Sequence, residues 1–436
     1  MSISATMNVI EDHNSLREES SPLVVTTPME SPGPNTSDLM SSREPLHLPP
    51  EIIDIILSYI PLRPASQSTL RTCTLINRSF YYASTPLLYH RPYITPSNFS
   101  LFVRTICPSK NAHVKHTPLS PLVHRLDMGA LVHNSSKSLT ARLLGRLKGN
   151  IEQFVAPQAS FAVNSFAALG KCKRMKLLDL SLISASISNS VLFQTLSHLD
   201  DLETLYFPRS SALDQLSVSA NTIPYIWPPK LSALHLAGGI TDSFLWTHMI
   251  SLPSTLRTLS IQHCSQIHQH SVIHVLETLG ERLTHLTIRH PMNHLSITSL
   301  DSLLLLCPSL LALRISADFI SPSLFAAENI PLTIPPPTSS NPNPSPIQAH
   351  PLRILDLECS PSASSDVDIP PHILYQAAEE GLLPDLRSVR VSMRLAWGAT
   401  EKTRRDAADL LEVMEEREME RPVGVGAEVL WSMGDT

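Results

Sequence analysis

A chain of 436 residues is long enough for two or three domains and a sizeable buried core. Its 42% hydrophobic content and its net charge of −6, from 33 basic and 39 acidic residues, exclude wholesale disorder and give no basic field to draw nucleic acid or anionic lipid. With 37 Pro against 13 Gly, a Gly-rich phosphate-cradling enzyme is not expected either.

The cysteines, at 73, 107, 172, 264, 307 and 359, lie far apart and form neither a dense disulfide framework nor a CxxC pair. They read as reduced thiols. The first forty residues lack a basic start followed by an apolar run, so no secretory signal is expected. The apolar stretch from Leu303 to Leu313 is broken by Cys307-Pro308 and is shorter than the about 20 residues a bilayer needs. A protein that is cytoplasmic and/or nuclear, with no membrane contact, is expected.

Residues 1–44 read as a disordered Ser/Pro-rich leader, most simply a passive tail, with Ser21-Pro22, Thr27-Pro28 and Ser31-Pro32 as steps open to phosphorylation. At residues 48–61, LPPEIIDIILSYIP predicts a short helix that starts at tandem prolines and stops at Pro61. Glu51, Asp54 and Ser58 form one thin polar stripe, and the remainder is apolar. Such a helix must be buried on more than one side. Two further short helices are predicted over STLRTCTLINRSF (68–80) and YYASTPLLYH (81–90). So small a core is near the lower limit of independent stability, and an outside partner would bury the surplus apolar face.

Leu48-Pro49-Pro50-Glu51-Ile52-Ile53 with Ile56-Leu57, then Leu75-Ile76-Asn77-Arg78-Ser79-Phe80 and Pro86-Leu87-Leu88-Tyr89, resembles an F-box over residues 45–94. Phe80 and Asn77 stand where that family often has Trp and Cys. The resemblance implies docking on the Skp-type linker of a cullin-RING ubiquitin ligase. The residues it assigns to linker binding are Leu48, Pro49, Glu51, Ile52, Ile53, Ile56, Leu57, Leu75, Ile76 and Phe80.

From residue 95 to 400 a pattern of apolar-x-x-apolar-x-apolar recurs ten times, at Val123/Leu126/Met128, Ile151/Phe154/Ala156, Met175/Leu178/Leu180, Leu202/Leu205/Phe207 and Leu231/Leu234/Leu236, then at Leu256/Leu259/Ile261, Leu283/Leu286/Ile288, Leu310/Leu313/Ile315, Leu352/Leu355/Leu357 and Leu386/Val389/Val391. The first seven steps are 24 to 29 residues long, the range of leucine-rich repeats. The next step is 42 residues and contains the Pro-rich tract 331–351, expected to be a disordered insertion. Each hit predicts a short strand followed by a helical return. The expected fold is α/β: a three-helix F-box followed by a curved solenoid with parallel strands inside and helices outside. Residues 401–436 are expected to be a charged, solvated helix and a C-terminal tail.

Chemistry is sparse. His263, Cys264, His268, His270 and His274 are close enough in sequence to suggest zinc, but the repeat register assigns Cys264 to the core and the histidines to the rim, so no metal site and no cofactor is expected. No HExxH, GxSxG, P-loop or CxxC occurs, and no catalytic residue is expected. The concave strand face is mixed in charge, which suits a protein ligand. Its candidate target-binding residues are Arg125, Asp127, Asp179, Tyr206, His235, His285 and Arg314. An F-box with leucine-rich repeats implies a non-catalytic adaptor that bridges an unknown protein substrate to a linker, and through it to the cullin and RING subunits. The alternative is a non-degradative scaffold outside the ligase.

Overall fold

The computed structural model describes residues 48–109, 117–131, 137–159, 161–209, 211–212, 225–334, 346–361, 367–419 and 428–433. The leader expected at 1–44 lies outside them. The chain divides into Met1–Pro49 and Pro50–Thr436, and the fold is that of the second unit.

The unit starts with three helices. Helix α1 (Pro50–Ser58) takes Pro50 at its first position, where a missing N–H costs nothing, and Glu51 in its positively polarised first turn. Helix α2 (Gln67–Cys73) and helix α3 (Arg78–His90) follow. The boundary between them differs from expectation: Leu75, Ile76 and Asn77 form the turn, and one helix runs through Pro86. Asn77 decides this, because its Oδ1 accepts a hydrogen bond from Phe80 N at 2.9 Å and caps α3. Within α3 the Ser84 and Thr85 hydroxyls, both buried, donate back to Phe80 O and Tyr81 O. Ile53, Leu57 and Leu70 are the buried apolar side chains of this segment.

Helix α4 (Phe99–Ile106) then inserts Phe99, Val103 and Ile106 into a second, continuous core that runs on to Val429. That core belongs to an eleven-stranded parallel sheet whose spatial order is its sequence order: β1 (Arg125–Asp127), β2 (Gln153–Val155), β3 (Leu177–Asp179), β4 (Thr204–Tyr206), β5 (Ala233–Ala237), β6 (Thr258–Gln262), β7 (His285–Arg289), β8 (Ala312–Ser316), β9 (Ile354–Glu358), β10 (Ser388–Ser392) and β11 (Glu428–Met433). The helical returns described are α5 (Lys137–Leu147), α6 (Val163–Leu169), α7 (Asn189–Leu196), α8 (Asp242–His248), α9 (Gln269–Leu279), α10 (Leu303–Leu306), α11 (Pro371–Glu379) and α12 (Glu401–Met419). Strictly sequential pairing is what a solenoid of stacked repeats must show.

All ten recurrences of the apolar pattern are strands of this sheet. Their fourth positions, from Leu126 through Phe154, Leu178, Leu205 and Leu234 to Val389, align in register and are at most 1% exposed. Side chains alternate across a strand, so the flanking residues face outward. Tight stacking also explains one of the few glycines. Gly238, at φ +77, follows β5, and a Cβ there would lie 2.5 Å from Arg209 O of the preceding repeat.

Two expectations are corrected. The tract 331–351 is ordered at both ends: Leu332–Thr333 pairs antiparallel with Ile347–Gln348, and buried His350 reaches Cys307 O through Nε2 at 3.0 Å. Only 335–345 lie outside the described residues. The stretch expected as a solvated helix and tail is instead a further repeat. Ala407, Leu410 and Met414 bury one stripe of α12, which packs on α11, and β11 then pairs with β10. The stripe is narrow because only one side of the helix meets the solenoid.

Candidate protein-binding surfaces

The first surface is on α1 to α3. Residues 53 and 57 are four apart and share one helical face, which is the buried one. Their neighbours Ile52, Ile55, Ile56 and Tyr59 therefore point away, exposed by 42, 52, 44 and 82%. Leu75 and Ile76 in the turn, and Tyr81 and Tyr82 on α3, are also exposed. Between α1 and α3 lies a groove of about 650 Å³ bounded by Asp54, Ser58, Tyr82 and Leu87. Of the ten residues assigned here from sequence, Leu48, Pro49, Glu51, Ile52, Ile56, Leu75 and Ile76 are exposed and Phe80 is half-buried. Ile53 and Leu57 are not surface residues; they are the segment's own core, because a three-helix segment has few other apolar side chains to bury. Ile55, Tyr59, Tyr81 and Tyr82 extend the exposed apolar set beyond the expected ten. Helical spacing from Ile52 could have found the first two.

The second surface is the outward face of the sheet. One row runs Arg125, Gln153, Leu177, Thr204, Ala233, Thr258, His285, and the next runs Asp127, Val155, Asp179, Tyr206, His235, Ser260, Thr287, Arg314, Asp356, Arg390. All seven sequence-assigned residues lie on these two rows, but they do not form one cluster. Arg125 donates to Asp127 Oδ2 at 2.8 Å and to Gln153 Oε1 at 3.3 Å. Asp179 accepts from the Ser181 amide and hydroxyl at 2.9 and 2.6 Å. In the middle, the Tyr206 and His235 rings stack with centroids 4.0 Å apart and planes 4° apart. Burial raises the Tyr206 hydroxyl pKa, with Asp179 adding to it, and burial pushes the His235 imidazole down so that it stays neutral. His285 is exposed, with Nδ1 2.9 Å from Thr284 Oγ1.

Arg314 belongs to a lattice at the far end. Its Nε and Nη2 donate to Asp356 Oδ2 at 3.0 and 2.7 Å, and Glu358 lies 3.6 Å from Nε. Arg289 pairs with Glu358, and Arg390 donates to Glu428 at 2.9 Å. Hydrogen bonds from Ser388 and Arg390 hold the Glu428 carboxyl below its usual range. Arg289, Glu358 and Glu428 escaped the sequence reading. The longer strands β5 to β10 carry a seventh, outward position beyond the six-residue motif, and continuing the alternation by one step finds Arg289 and Glu358. Glu428 had no motif to mark it. At the opposite end Glu152 collects Lys176 and Arg174 at 3.1 Å and His124 at 3.3 Å. Burial alone would raise its carboxyl, but the hydrogen bonds from Lys176 and His124 win and lower it.

The residues considered for zinc do not form a site. Cys264 is buried, its thiol donates to Gln262 O, and burial pushes it up to about 12. His268 gives Nδ1 to Asp242 at 2.6 Å and stacks on His294, while His274 stacks on Trp246. Among the described residues no helix is long and apolar enough to cross a membrane.

No family model matches the chain. It is similar to F-box protein YDR306C of Saccharomyces cerevisiae, 31% identical over 344 residues, which covers 79% of this chain but only 66% of that one. It is also similar to Protein pof5 of Schizosaccharomyces pombe, 29% identical over 352 residues, covering 80% of this chain and 90% of the relative. Solved structures with some likeness include the leucine-rich repeat-containing protein LegL7 from Legionella pneumophila, at 14% identity and a TM-score of 0.34 over 61% of this chain and 82% of that one. Another is the Rad7 and Elc1 complex in yeast, at 13% identity and a TM-score of 0.29 over 76% of each chain. A relative named as an F-box protein is matched over four fifths of the present chain, and the chain stacks its repeats on a parallel sheet, so it is similar to F-box proteins that carry leucine-rich repeats.

Proposed function

We propose that this chain is a substrate-recognition adaptor of an SCF-type ubiquitin ligase, in which the helices around residues 48–94 dock on the Skp-type linker and the repeats hold a target protein. One observation carries the reading: a three-helix segment keeps Ile52, Ile55, Ile56, Tyr59, Leu75 and Ile76 in water while burying three apolar side chains of its own. Isolated surface apolar residues need no explanation, but a contiguous set on so small a segment marks an interface. Kinship to an F-box protein supports the choice of partner.

In this role the chain needs no catalytic residue and no cofactor. Holding a target beside the charged conjugating enzyme raises its effective concentration, and that proximity is the whole contribution. The sheet face, with its stacked Tyr206 and His235 and its paired charges, suits a folded or peptide ligand better than a nucleic-acid backbone, which would ask for unpaired cations along the groove. Five buried thiols suit a reducing compartment, cytoplasmic or nuclear.

The test is Ile56→Asp in the full chain, followed by capture of the linker. The expected result is at least a tenfold loss of linker binding, because a desolvated charge would sit in the interface, with the unfolding midpoint unchanged. Undiminished capture of the linker by a folded variant would overturn the docking assignment.

A further inference from the structure

Not every charge on the two outward rows of the sheet is neutralised. Arg125 pairs with Asp127, Arg314 with Asp356 and Arg390 with Glu428. Asp179 has no ion-pair partner among the described residues. Its Oδ1 accepts both hydrogen bonds from Ser181, at 2.9 Å from the amide and 2.6 Å from the hydroxyl, which fixes the carboxylate and leaves Oδ2 open. A rigid, uncompensated anion on a face whose other charges are paired is complementary to a cation.

The neighbouring strands complete the setting. Asp179 on β3 stands opposite Tyr206 on β4, and Tyr206 stands opposite His235 on β5. Asp179 is close enough to act on both: its charge helps to raise the Tyr206 hydroxyl pKa and opposes the lowering of His235 by burial. The two rings are parallel with centroids 4.0 Å apart, and adjacent strands are about 4.8 Å apart. A cation held by Oδ2 therefore sits beside the Tyr206 ring, inside the about 6 Å over which an aromatic face attracts it. Tyr206 Oη and the imidazole nitrogens of His235 have no hydrogen-bond partner among the described residues. Because burial keeps His235 neutral, it offers an acceptor nitrogen and no repulsion. Half-buried Leu177, two residues before Asp179 on the same strand, gives apolar surface to the methylene stem of a long basic side chain. Three acceptors beside a flat stack of rings match a planar guanidinium, with five donors, better than a compact ammonium. Carboxylate and rings are already ordered, so little freedom is left to lose when a ligand arrives.

We infer that Asp179, Tyr206 and His235 receive an arginine side chain of the target protein, its guanidinium donating to Asp179 Oδ2 and packing on the Tyr206–His235 stack. The inference deepens, and rests on, the reading of the sheet face as the target-binding surface.

The experiment uses the purified full chain and three immobilised degenerate peptide mixtures, built from uncharged residues around a central arginine, lysine or glutamine. Retention on the arginine mixture is expected to exceed that on the glutamine mixture about tenfold. The lysine mixture should fall between the two, since lysine keeps the charge but not the planar fork. D179N keeps the oxygen that Ser181 uses and removes the charge, so it should unfold at the wild-type midpoint while losing about tenfold in arginine retention. Y206L keeps apolar bulk without the aromatic face and should lose about threefold. Equal retention on the arginine and glutamine mixtures, or full arginine retention by folded D179N, would overturn the proposal. Linker capture is measured in parallel on the same proteins: a wild-type chain that captures no linker strikes the adaptor reading and leaves the arginine result standing, whereas intact capture with no arginine preference strikes this site alone.

Discussion

The helical segment of residues 50–90 and the solenoid that follows it are built from the same residue types in opposite ways. The segment buries Ile53, Leu57 and Leu70 and leaves more apolar side chains outside than inside. In the solenoid each of the ten motif-bearing repeats buries its three motif positions, and each buried rung is flanked by another. Stacked repeats supply each other's burial partners, so the solenoid is complete without a companion. Apart from Tyr89, which packs on the solenoid core, the segment has α1, α2 and α3 to share burial among themselves, and its surplus is what a partner would cover.

Substitutions in the two regions should break that contrast in order of size. Leu259→Ala removes a central rung packed between Leu234 and Leu286 and should cost about 3–5 kcal/mol in denaturant unfolding of the whole solenoid. A cost below about 1 kcal/mol would mean that the repeats do not share one core. On α1, neighbouring residues should separate cleanly. Leu57→Asp puts a carboxylate into the small core and should cost about 3 kcal/mol, read as loss of hydrogen-exchange protection confined to residues 50–90. Ile56→Asp, on the wet side, should stay within about 0.5 kcal/mol of wild type. Equal effects at 56 and 57 would show that the helix is not oriented as described.

How much of this was legible in sequence follows the same division. In the solenoid the repeat spacing reveals ten strands, because a residue such as Leu205 is forced inward by neighbours that obey the same rule. The eleventh strand had no such signal: Glu428–Met433 carries no six-residue motif, and a charged helix precedes it. In the helical segment composition shows that apolar residues are in surplus but not which are in the surplus. Ile53 and Leu57 look like Ile52 and Ile56 in a sequence, and only the angle at which α1 meets α3 separates core from surface. Charge pairing was hidden for another reason. Arg314 and Asp356 are 42 residues apart, and strand register across the insertion brings them together.

Acidification should weaken the solenoid. His248 is 7% exposed among Phe193, Tyr225 and Phe244, its Nδ1 accepts from Tyr225 N at 3.3 Å, and burial lowers its pKa to about 4. The unfolded chain, with an imidazole near 6.5, takes up the proton first. Stability is therefore full above about pH 6.5, falls as the pH drops toward 4, and levels off below, a loss of roughly 2–3 kcal/mol from this residue. Burial lowers His235, His350 and His263 in the same direction. His248→Gln should flatten part of the slope between pH 6.5 and 4 in urea unfolding; an unchanged slope would remove His248 from the account.

The smallest contrast lies within the sheet face itself, between its two ends. Arg125 and Asp127 are a hydrogen-bonded pair whose side chains are 36 and 41% exposed, so water competes for both partners and Arg125→Gln should change stability by less than about 0.5 kcal/mol. Arg314 has a similar exposure of 43%, but the carboxylate it serves is 9% exposed. Removing Arg314 takes the hydrogen-bonded cation from a carboxylate that little water reaches, so Arg314→Gln should cost about 1–2 kcal/mol. The cost is that of the stranded charge rather than of the lost contact, and the second substitution tests this. Adding Asp356→Asn to Arg314→Gln should return about half of the lost stability, because the buried charge is then gone as well. If the double variant is instead as unstable as the sum of the two single ones, the lattice owes its stability to the contacts themselves, and the two ends of the sheet differ in geometry and not in exposure.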